Sequence, residues 1–228
     1  MDTDKIEKKI GITFKNKELL KQSFTHRSYL NENRNSGMEH NERLEFLGDA
    51  VLELVVTHYL YHKYPKKPEG ELTALRSALV NSVMLASVST ELAFNDHLLL
   101  SRGEAKDTGR ARQYILANTY ESVVGAIYID QGYEMADKFI TESLLPHIKE
   151  VEENRLYVDA KSYFQEKSQE VLGVTPNYKT MRETGPDHDK LFTVGLYIND
   201  AKIAEGAGKS KQEAEQDAAK NGLLLRRW

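Results

Sequence analysis

Four carboxylates fall on one side of a predicted helix in the segment NERLEFLGDAVLEL, residues 41–54. At about 100° per residue, the acids that lie within about 80° of one another are Glu42, Glu45, Asp49 and Glu53. Like charges four residues apart repel, so a purely acidic stripe costs stability unless something offsets its charge. One interpretation is a solvated helix face; the other is half of a site for a hard divalent cation, which prefers oxygen ligands.

A second segment supports the cation hypothesis. In ARQYILANTYESVVGAIYI, residues 111–129, apolar side chains point in nearly every direction, which predicts a mostly buried helix. Glu121 is its only carboxylate, with Asn118 one turn earlier on the same side. A buried carboxylate is costly unless it is paired or bound to a cation, so either it pairs with an arginine such as Arg76, or it faces the acidic stripe.

If the two helices face each other, four residues form a set of oxygen ligands that we call the oxygen cage: Glu45, Asp49, Asn118 and Glu121. Mg²⁺ is the cation that such carboxylate and amide oxygens favour. A carboxylate-bound Mg²⁺ suits phosphoryl chemistry, because it activates water and stabilises the attacking and leaving oxygens. The spacing therefore favours a site for a hard divalent cation such as Mg²⁺ and, with it, phosphoryl chemistry.

Composition narrows the remaining classes. The 228-residue chain has no cysteine, which excludes disulfides and thiolate-bound metals. The N-terminal stretch MDTDKIEKKIGITF lacks the apolar core of a signal peptide, and no apolar run approaches a membrane span. We therefore expect a cytoplasmic protein with no membrane partner. The net charge of −4 argues against nucleic-acid binding, unless the lysines are concentrated locally.

Hydrophobic periodicity divides the chain into two predicted domains joined by a linker. Over residues 1–148 the apolar spacing predicts helices in segments 4–10, 16–29, 39–64, 70–93, 111–130 and 133–147. The charged stretch 149–158 is predicted to be the linker. Over residues 159–228 the order becomes α-β-β-β-α, with a helix at 160–172, strands near 176–183, 190–198 and 202–207, and a last helix that Ser210 caps.

The stretch GAGKS, residues 206–210, is not a P-loop, because the position of its required first glycine is Ile203. The lysines that flank Ser210, Lys209 and Lys211, stand at the predicted N-terminus of the last helix, where backbone N–H groups and the helix dipole favour anions. An ordinary capped helix start is the alternative. The domain carries as many acidic as basic residues, so only local clustering of lysines would bind a polyanion.

With these motifs in order, the sequence resembles the ribonuclease III family. HNERLEFLGDAVLEL is similar to the family's signature, and FTHRSY, EGELTALRSALVN and ILANTYESVVGAIYID resemble further family segments. Residues 159–226 resemble a double-stranded-RNA-binding domain, above all in GPDHDK and GKSKQEAEQDAA. The resemblance implies an all-α endonuclease domain (1–148) followed by a small α+β double-stranded-RNA-binding domain (159–228), acting as a homodimer.

The resemblance also implies roles for individual residues. Asp49 and Glu121 match the carboxylates usually called catalytic, and the whole oxygen cage matches the family's metal site for Mg²⁺, with Mn²⁺ expected to substitute. Glu42 and Glu69 match accessory acids that line the RNA-binding valley. Phe46 resembles the aromatic residue that inserts into the partner subunit. The implied reaction cuts double-stranded RNA to 5′-phosphate products with short 3′ overhangs, typically in ribosomal and messenger RNA processing.

In the second domain the resemblance points to three groups of RNA-contacting residues. Gln165 and Gln169 lie one turn apart on the first helix, where they could meet the minor groove and its 2′-hydroxyls. His188 lies in GPDHDK, and the residues at the last helix are Lys209, Ser210 and Lys211. A solvated helix face and a simple turn are the alternatives for the first two groups. A lysine is common in the family where Gln212 stands, which predicts modest RNA affinity for this domain alone.

Asn118 departs from the family, which commonly has aspartate there. An amide oxygen can ligate Mg²⁺ but brings no charge, so we expect weaker metal affinity rather than a lost site. Three hypotheses remain open at this point: a metal-dependent endoribonuclease for double-stranded RNA, a double-stranded-RNA-binding protein that cleaves weakly or not at all because of Asn118, and an acidic helical scaffold for protein partners.

Overall fold

The computed structural model divides the chain into two compact units, Met1–Tyr157 and Val158–Trp228. It describes residues 1–154, 157, 159–186 and 190–228. The first unit is helical and the second is a three-stranded sheet with two helices. The predicted fold class, all-α followed by α+β, is confirmed.

The first unit is built from helices joined by turns and loops, the longest of which, residues 92–109, contains two short 3-10 helices. In chain order they are α1 (Thr3–Ile10), α2 (Lys17–Ser23), α3 (Arg27–Glu32), α4 (Glu42–Lys63), α5 (Glu69–Val80), α6 (Ser82–Glu91), α7 (Arg110–Gln131), α8 (Tyr133–Ser143) and α9 (Ile148–Glu153). The long helices α4 and α7 pack against each other at the centre. Around them lies one continuous apolar core, in which Leu52, Val56, Tyr120 and Ile127 are fully buried.

Two segments predicted as single helices are each broken. Residues 16–29 separate into α2 and α3 at Thr25, which pairs with Leu99 in an isolated bridge. Residues 70–93 separate at Asn81, whose side chain accepts hydrogen bonds from the backbone N–H groups of Val83 and Met84 at 3.0 and 2.9 Å. An asparagine that caps a new helix in this way ends the preceding one.

Among the described residues, no single helix is both long enough and apolar enough to span a membrane. Taken together, α5 and α6 have the required length and composition, but the chain bends by 45° at the break between them.

The predicted linker, 149–158, is wrong in its first part. Residues Ile148–Glu153 form α9, which ends the first unit. Ile148 and Val151 lie three residues apart on one face of this helix and are buried in the core of the unit. The many charges of the segment occupy the other faces, which is why composition alone suggested a linker. Residues 155, 156 and 158 lie outside the described part of the chain.

The second unit is an antiparallel sheet covered on one face by two helices. Its elements are α10 (Ala160–Leu172), β1 (Asn177–Thr184), β2 (Leu191–Ile198), β3 (Ala201–Gly208) and α11 (Lys211–Arg226), with the strands in the order β1-β2-β3. Phe164 and Leu196 are fully buried between helices and sheet. Ala214 and Ala218 are fully buried as well, and their small side chains let α11 lie close to β3.

Candidate active site and nucleic-acid interface

Helices α4 and α7 cross in direct backbone contact at two glycines. A Cβ atom on Gly48 of α4 would lie 1.7 Å from the backbone carbonyl oxygen of Glu121, and one on Gly125 of α7 would lie 2.2 Å from that of Leu44. Both distances are far below contact distance, so only glycine fits at either position. Because glycine inside a helix costs stability, each is explained by the close crossing it permits. Gly48 adjoins Asp49 on α4, and Gly125 lies one turn after Glu121 on α7, so the crossing lies beside the predicted metal ligands.

The pKa of Glu121 is raised at the crossing of the two helices. Its side chain is partly buried, and burial first, then the charges of Asp49 and Glu45, raise its pKa to about 8. A carboxyl whose pKa lies above neutrality is largely protonated at pH 7. Among the ion pairs of the described residues, none involves Glu121. The sequence-based prediction that α4 and α7 bring their acids together therefore agrees with the electrostatics of the structure.

The pKa of Glu45, which lies on α4, is also raised. Burial raises its pKa, and the charges of Glu42 and Asp49 raise it further, while a hydrogen bond from the Asn118 side chain lowers it in part. In this pair the Asn118 amide nitrogen is the donor and the Glu45 carboxylate is the acceptor. To ligate a cation, Asn118 must instead present its amide oxygen, the acceptor end of the same group.

The oxygen cage offers the ligand types that a hard divalent cation prefers, but its side chains are not already arranged around a common point. The donor set consists of three carboxylates and one amide oxygen, which are ligand types that Mg²⁺ prefers. Burial and neighbouring negative charges raise the pKa of two of these carboxyls, Glu45 and Glu121. Within the described residues, however, no three His, Asp or Glu side chains are already arranged as metal ligands. Binding of a cation would therefore require these side chains to turn towards one another.

Arg76, the alternative partner considered for Glu121, is engaged elsewhere. Its Nε lies 3.4 Å from the Glu53 carboxylate, and its guanidinium donates to the Thr57 hydroxyl at 3.0 Å. The hypothesis that Arg76 neutralises Glu121 is therefore wrong. Glu53 belongs to the acidic stripe but lies outside the oxygen cage, and it pairs with Arg76.

The remaining predicted residues of the first unit, which lie outside the oxygen cage, are Glu42, Glu69 and Phe46. Glu42 is exposed, lies 3.3 Å from the Arg27 guanidinium, and adds to the repulsion felt by Glu45. Arg27 was not recognised from the sequence, although FTHRSY contains it. Glu69 starts α5, is exposed, and is not among the charges that shift Glu45 or Glu121. Phe46 is 82% exposed, an unusual position for a phenylalanine.

In the second unit, the predicted RNA-contacting residues of α10 are available to solvent. Gln165 and Gln169 are both exposed on the same side of the helix, one turn apart. The Gln169 amide donates to the Thr175 hydroxyl at 3.2 Å, which orients it just beyond the helix end. The predicted His188 lies outside the described residues.

The N-terminus of α11 is capped as predicted. The Ser210 hydroxyl accepts from the backbone N–H of Glu213 at 3.1 Å, and the Glu213 carboxylate accepts from the backbone N–H of Lys209 at 2.9 Å. Lys211 is exposed and lies 3.3 Å from the Glu183 carboxylate of β1. Ser210 therefore serves the cap, and Lys209 and Lys211 carry positive charge at the same helix end.

Two family models match the chain in the same order as its two units. A model described as ribonuclease-III-like matches residues 16–148, and a model described as the double-stranded RNA binding motif matches residues 160–225. The first match contains every residue of the oxygen cage, and the second contains both glutamines of α10 and both lysines at α11.

Relatives along most of the chain and a solved structure agree with these models. A protein named Ribonuclease 3 from Leptospira interrogans is 46% identical over 216 residues, which are 95% of this chain and 87% of that protein. One of the same name from Streptococcus agalactiae is 44% identical over 219 residues, 96% of each chain. The solved nuclease domain of a ribonuclease III from Campylobacter jejuni is 38% identical with a TM-score of 0.58, covering 64% of this chain and 99% of that domain.

Proposed function

The chain belongs to the ribonuclease III family and is an endoribonuclease specific for double-stranded RNA, and we propose that it works with Mg²⁺ bound by the oxygen cage. The observation that carries the proposal is Glu121, a partly buried carboxyl whose pKa two further carboxyls raise. A divalent cation offsets that repulsion. Mn²⁺ accepts the same oxygen ligands and is expected to substitute.

The residues of the cage have distinct tasks in this mechanism. When bound, the cation supplies an activated water and charge stabilisation for the attacked phosphate. Glu45, Asp49, Asn118 and Glu121 would hold the cation through their side-chain oxygens, and Glu121 would do so in its ionised form. Asp49 is the most exposed of the three carboxyls, and we assign it to the side that meets substrate. We assign Asp49 and Glu121 as the catalytic pair, with products that carry 5′-phosphates and short 3′ overhangs.

The second unit is proposed to hold the RNA duplex. Gln165 and Gln169 would contact the minor groove, and Lys209 and Lys211, at the start of α11, would contact phosphates. His188 is assigned to the next minor groove on the family resemblance alone. Recognition of this kind depends on duplex shape rather than on sequence. It also answers the objection from net charge, because the lysines are grouped where a phosphate would lie.

A homodimer is proposed from the surface of α4. Three large side chains on this helix are exposed to 82%, 56% and 67%: Phe46, Leu54 and Tyr61. On a helical wheel they fall within about 80° of one another, so they form one apolar stripe rather than scattered contacts. A second copy of the chain would cover it. The accessory acids Glu42 and Glu69 are then assigned to the RNA-binding valley.

Location and biological substrates are proposed by analogy with the family. The enzyme is expected to act in the cytoplasm on ribosomal RNA precursors and messenger RNA.

A second candidate, a double-stranded-RNA-binding protein that cleaves weakly or not at all, is favoured by one observation. Asn118 is a donor to Glu45 rather than a fourth charge, so the cage attracts a cation less strongly than four carboxylates would. A labelled RNA duplex incubated with Mg²⁺, Mn²⁺, Ca²⁺ or EDTA separates the two. Cleavage in Mg²⁺ or Mn²⁺ supports the endonuclease, whereas a gel shift without cleavage in both cations supports the binding protein.

Two variants make the assay specific to the oxygen cage. Glu121→Gln is expected to abolish cleavage and leave duplex binding intact. Glu53→Gln is the matched control, because Glu53 stands one turn from Asp49 on the same stripe but pairs with Arg76. It is expected to cleave like the unmodified protein. Equal loss in both variants would contradict the assignment of the site.

A further inference from the structure

We propose that Asn41 and Ser122 are positioning residues that lock α4 and α7 in the register at which the oxygen cage can close. They form a buried hydrogen-bonded bridge between the two helices, one residue before Glu42 and one residue after Glu121. The inference rests on the proposed metal site, because its consequence is measured as affinity for the cation.

The first observation is that Asn41 does not cap its own helix. It occupies the N-cap position of α4, where asparagine normally accepts from a backbone N–H of the first turn, yet it makes no such side-chain bond. Its Nδ2 instead donates to the Ser122 hydroxyl at 3.2 Å and to the backbone carbonyl of Ser23 at 3.4 Å. Asn41 is 3% exposed. A strong capping residue is thus used for a contact to α7 instead.

The second observation is the hydrogen-bond direction at Ser122. Its hydroxyl donates to the backbone carbonyl of Asn118, one turn earlier on α7. A serine hydroxyl has one proton and two lone pairs, so the oxygen is left to accept from Asn41. Ser122 is fully buried, so bulk solvent does not compete for this bond. The bridge therefore runs from Asn41 through Ser122 to the backbone of a cage residue.

The bridge reaches the cage on the α4 side as well. The backbone carbonyl of Asn41 accepts from the N–H of Glu45 at 2.9 Å, and the N–H of Asn41 donates to the carbonyl of the buried Thr25 at 2.9 Å. Asn41 is therefore fixed from three directions. One continuous set of bonds connects the backbone of Glu45 on one helix with the backbone of Asn118 on the other.

The bridge and the glycine crossing constrain different motions. Gly48 and Gly125 set how closely the helices approach, but smooth glycine surfaces do not prevent sliding or rotation about the contact. A directional hydrogen bond at one end does. Residues that orient metal ligands without touching the metal typically change its affinity about 10–100-fold when they are removed.

The test measures Mn²⁺ binding to the whole chain without RNA. Binding is detected by titration calorimetry or by the electron paramagnetic resonance signal of free Mn²⁺. Asn41→Ala and Ser122→Ala are each expected to weaken Mn²⁺ binding about tenfold or more. The double variant should be little weaker than either single one, because both remove the same bridge. Simple addition of two losses would overturn the proposal.

Ser89→Ala is the matched control for lost stability. Ser89 is also a fully buried serine that donates to an α7 carbonyl, that of Leu116 at 2.8 Å, but it lies on α6 and outside the bridge. It should lower the melting temperature about as much as Ser122→Ala and leave Mn²⁺ affinity unchanged. Equal loss of affinity in both serine variants would show a general stability effect and refute a positioning role. Where Asn41→Ala fails to fold, the two serine variants decide.

Glu121→Gln separates this inference from the proposed function. If the unmodified protein binds Mn²⁺ and Glu121→Gln does not, the metal site stands, and the behaviour of Asn41→Ala and Ser122→Ala judges the bridge alone. If Glu121→Gln binds Mn²⁺ as well as the unmodified protein, the metal site itself is wrong, and the positioning proposal falls with it.

Discussion

Loading of the oxygen cage should displace a proton from Glu121. Its pKa of about 8 makes the ratio of protonated to ionised carboxyl about ten to one at pH 7. A divalent cation requires the ionised form, so binding should release about nine-tenths of a proton per site at pH 7 and almost none at about pH 9.5. The same competition weakens the apparent affinity about tenfold for each pH unit below 8.

Titration calorimetry with Mn²⁺ measures both quantities. The observed enthalpy in two buffers that differ in ionisation enthalpy gives the number of protons released, and a series from pH 6 to pH 9 gives the slope of affinity. Glu121→Gln carries no titrating proton and should show neither effect, with weak binding throughout. An affinity that is constant between pH 6 and pH 8, with the same enthalpy in both buffers, would falsify the reasoning from burial and like charge.

The stability of the metal-free protein should follow the same titration. A carboxyl whose folded-state pKa is raised contributes stability that is complete below its usual value of 4.5 and is lost as pH rises through about 8. In EDTA, the unmodified protein should therefore lose free energy of unfolding relative to Glu121→Gln over that window. With the buried fraction screened in part by solvent, we expect a change of about 2–3 kcal/mol, measured by urea unfolding at pH 5 and pH 9.

The crossing, the cage and the two proposed contact surfaces can each be tested by one substitution. Gly48→Ala should destabilise the first unit by about 3 kcal/mol or more in a thermal melt, and it should abolish metal binding. Gly70→Ala, with open space around its Cβ position, should change neither stability nor metal binding. Asn118→Asp should lower the Mg²⁺ concentration for half-maximal cleavage severalfold and destabilise the protein in EDTA; an unchanged metal titration would contradict this. Phe46→Ala should weaken self-association by about 2–4 kcal/mol in sedimentation, with the monomer still folded by circular dichroism. Lys211→Ala should weaken duplex binding for all sequences and reduce the salt dependence by about one charge, whereas an unchanged salt slope would remove this lysine from the interface.

Three residues of the proposed oxygen cage stand out in the sequence because they break local rules. An acidic stripe without lysines and a lone carboxylate on an apolar helix both cost stability, and such costs indicate function. Both costs are visible in the order of residues along the chain, and together they point to Glu45, Asp49 and Glu121. Family resemblance added what spacing cannot, above all the substrate and the roles of individual residues.

Other features could not be predicted because they depend on how helices cross. The pairing of Arg76 with Glu53 rather than Glu121 follows from the relative placement of α4 and α5. The bridge from Asn41 was missed because an asparagine before a helix is expected to cap it.

The glycines of the crossing, in contrast, carry a signal that can be read from the sequence. A glycine inside an otherwise good helix costs stability and therefore marks a close approach.

The local errors have a similar physical origin. The apolar spacing over residues 70–93 hid the helix break, and the capping asparagine, Asn81, was the better indicator. In α9, two apolar residues three apart outweigh a run of charges, because burial of Ile148 and Val151 needs only one helix face.

The crossing at Gly48 and Gly125 also bears on which cations the enzyme can use. Mg²⁺–oxygen distances are about 2.0–2.1 Å and those of Ca²⁺ about 2.3–2.6 Å, so a larger ion needs its ligands to retreat. Here the helix backbones are already in contact and cannot approach more closely. In the proposed metal site, the shorter distances of Mg²⁺ would therefore have to be met by the torsion angles of the carboxylate side chains. Discrimination between the two cations would then depend on how far Glu45 and Glu121 can extend.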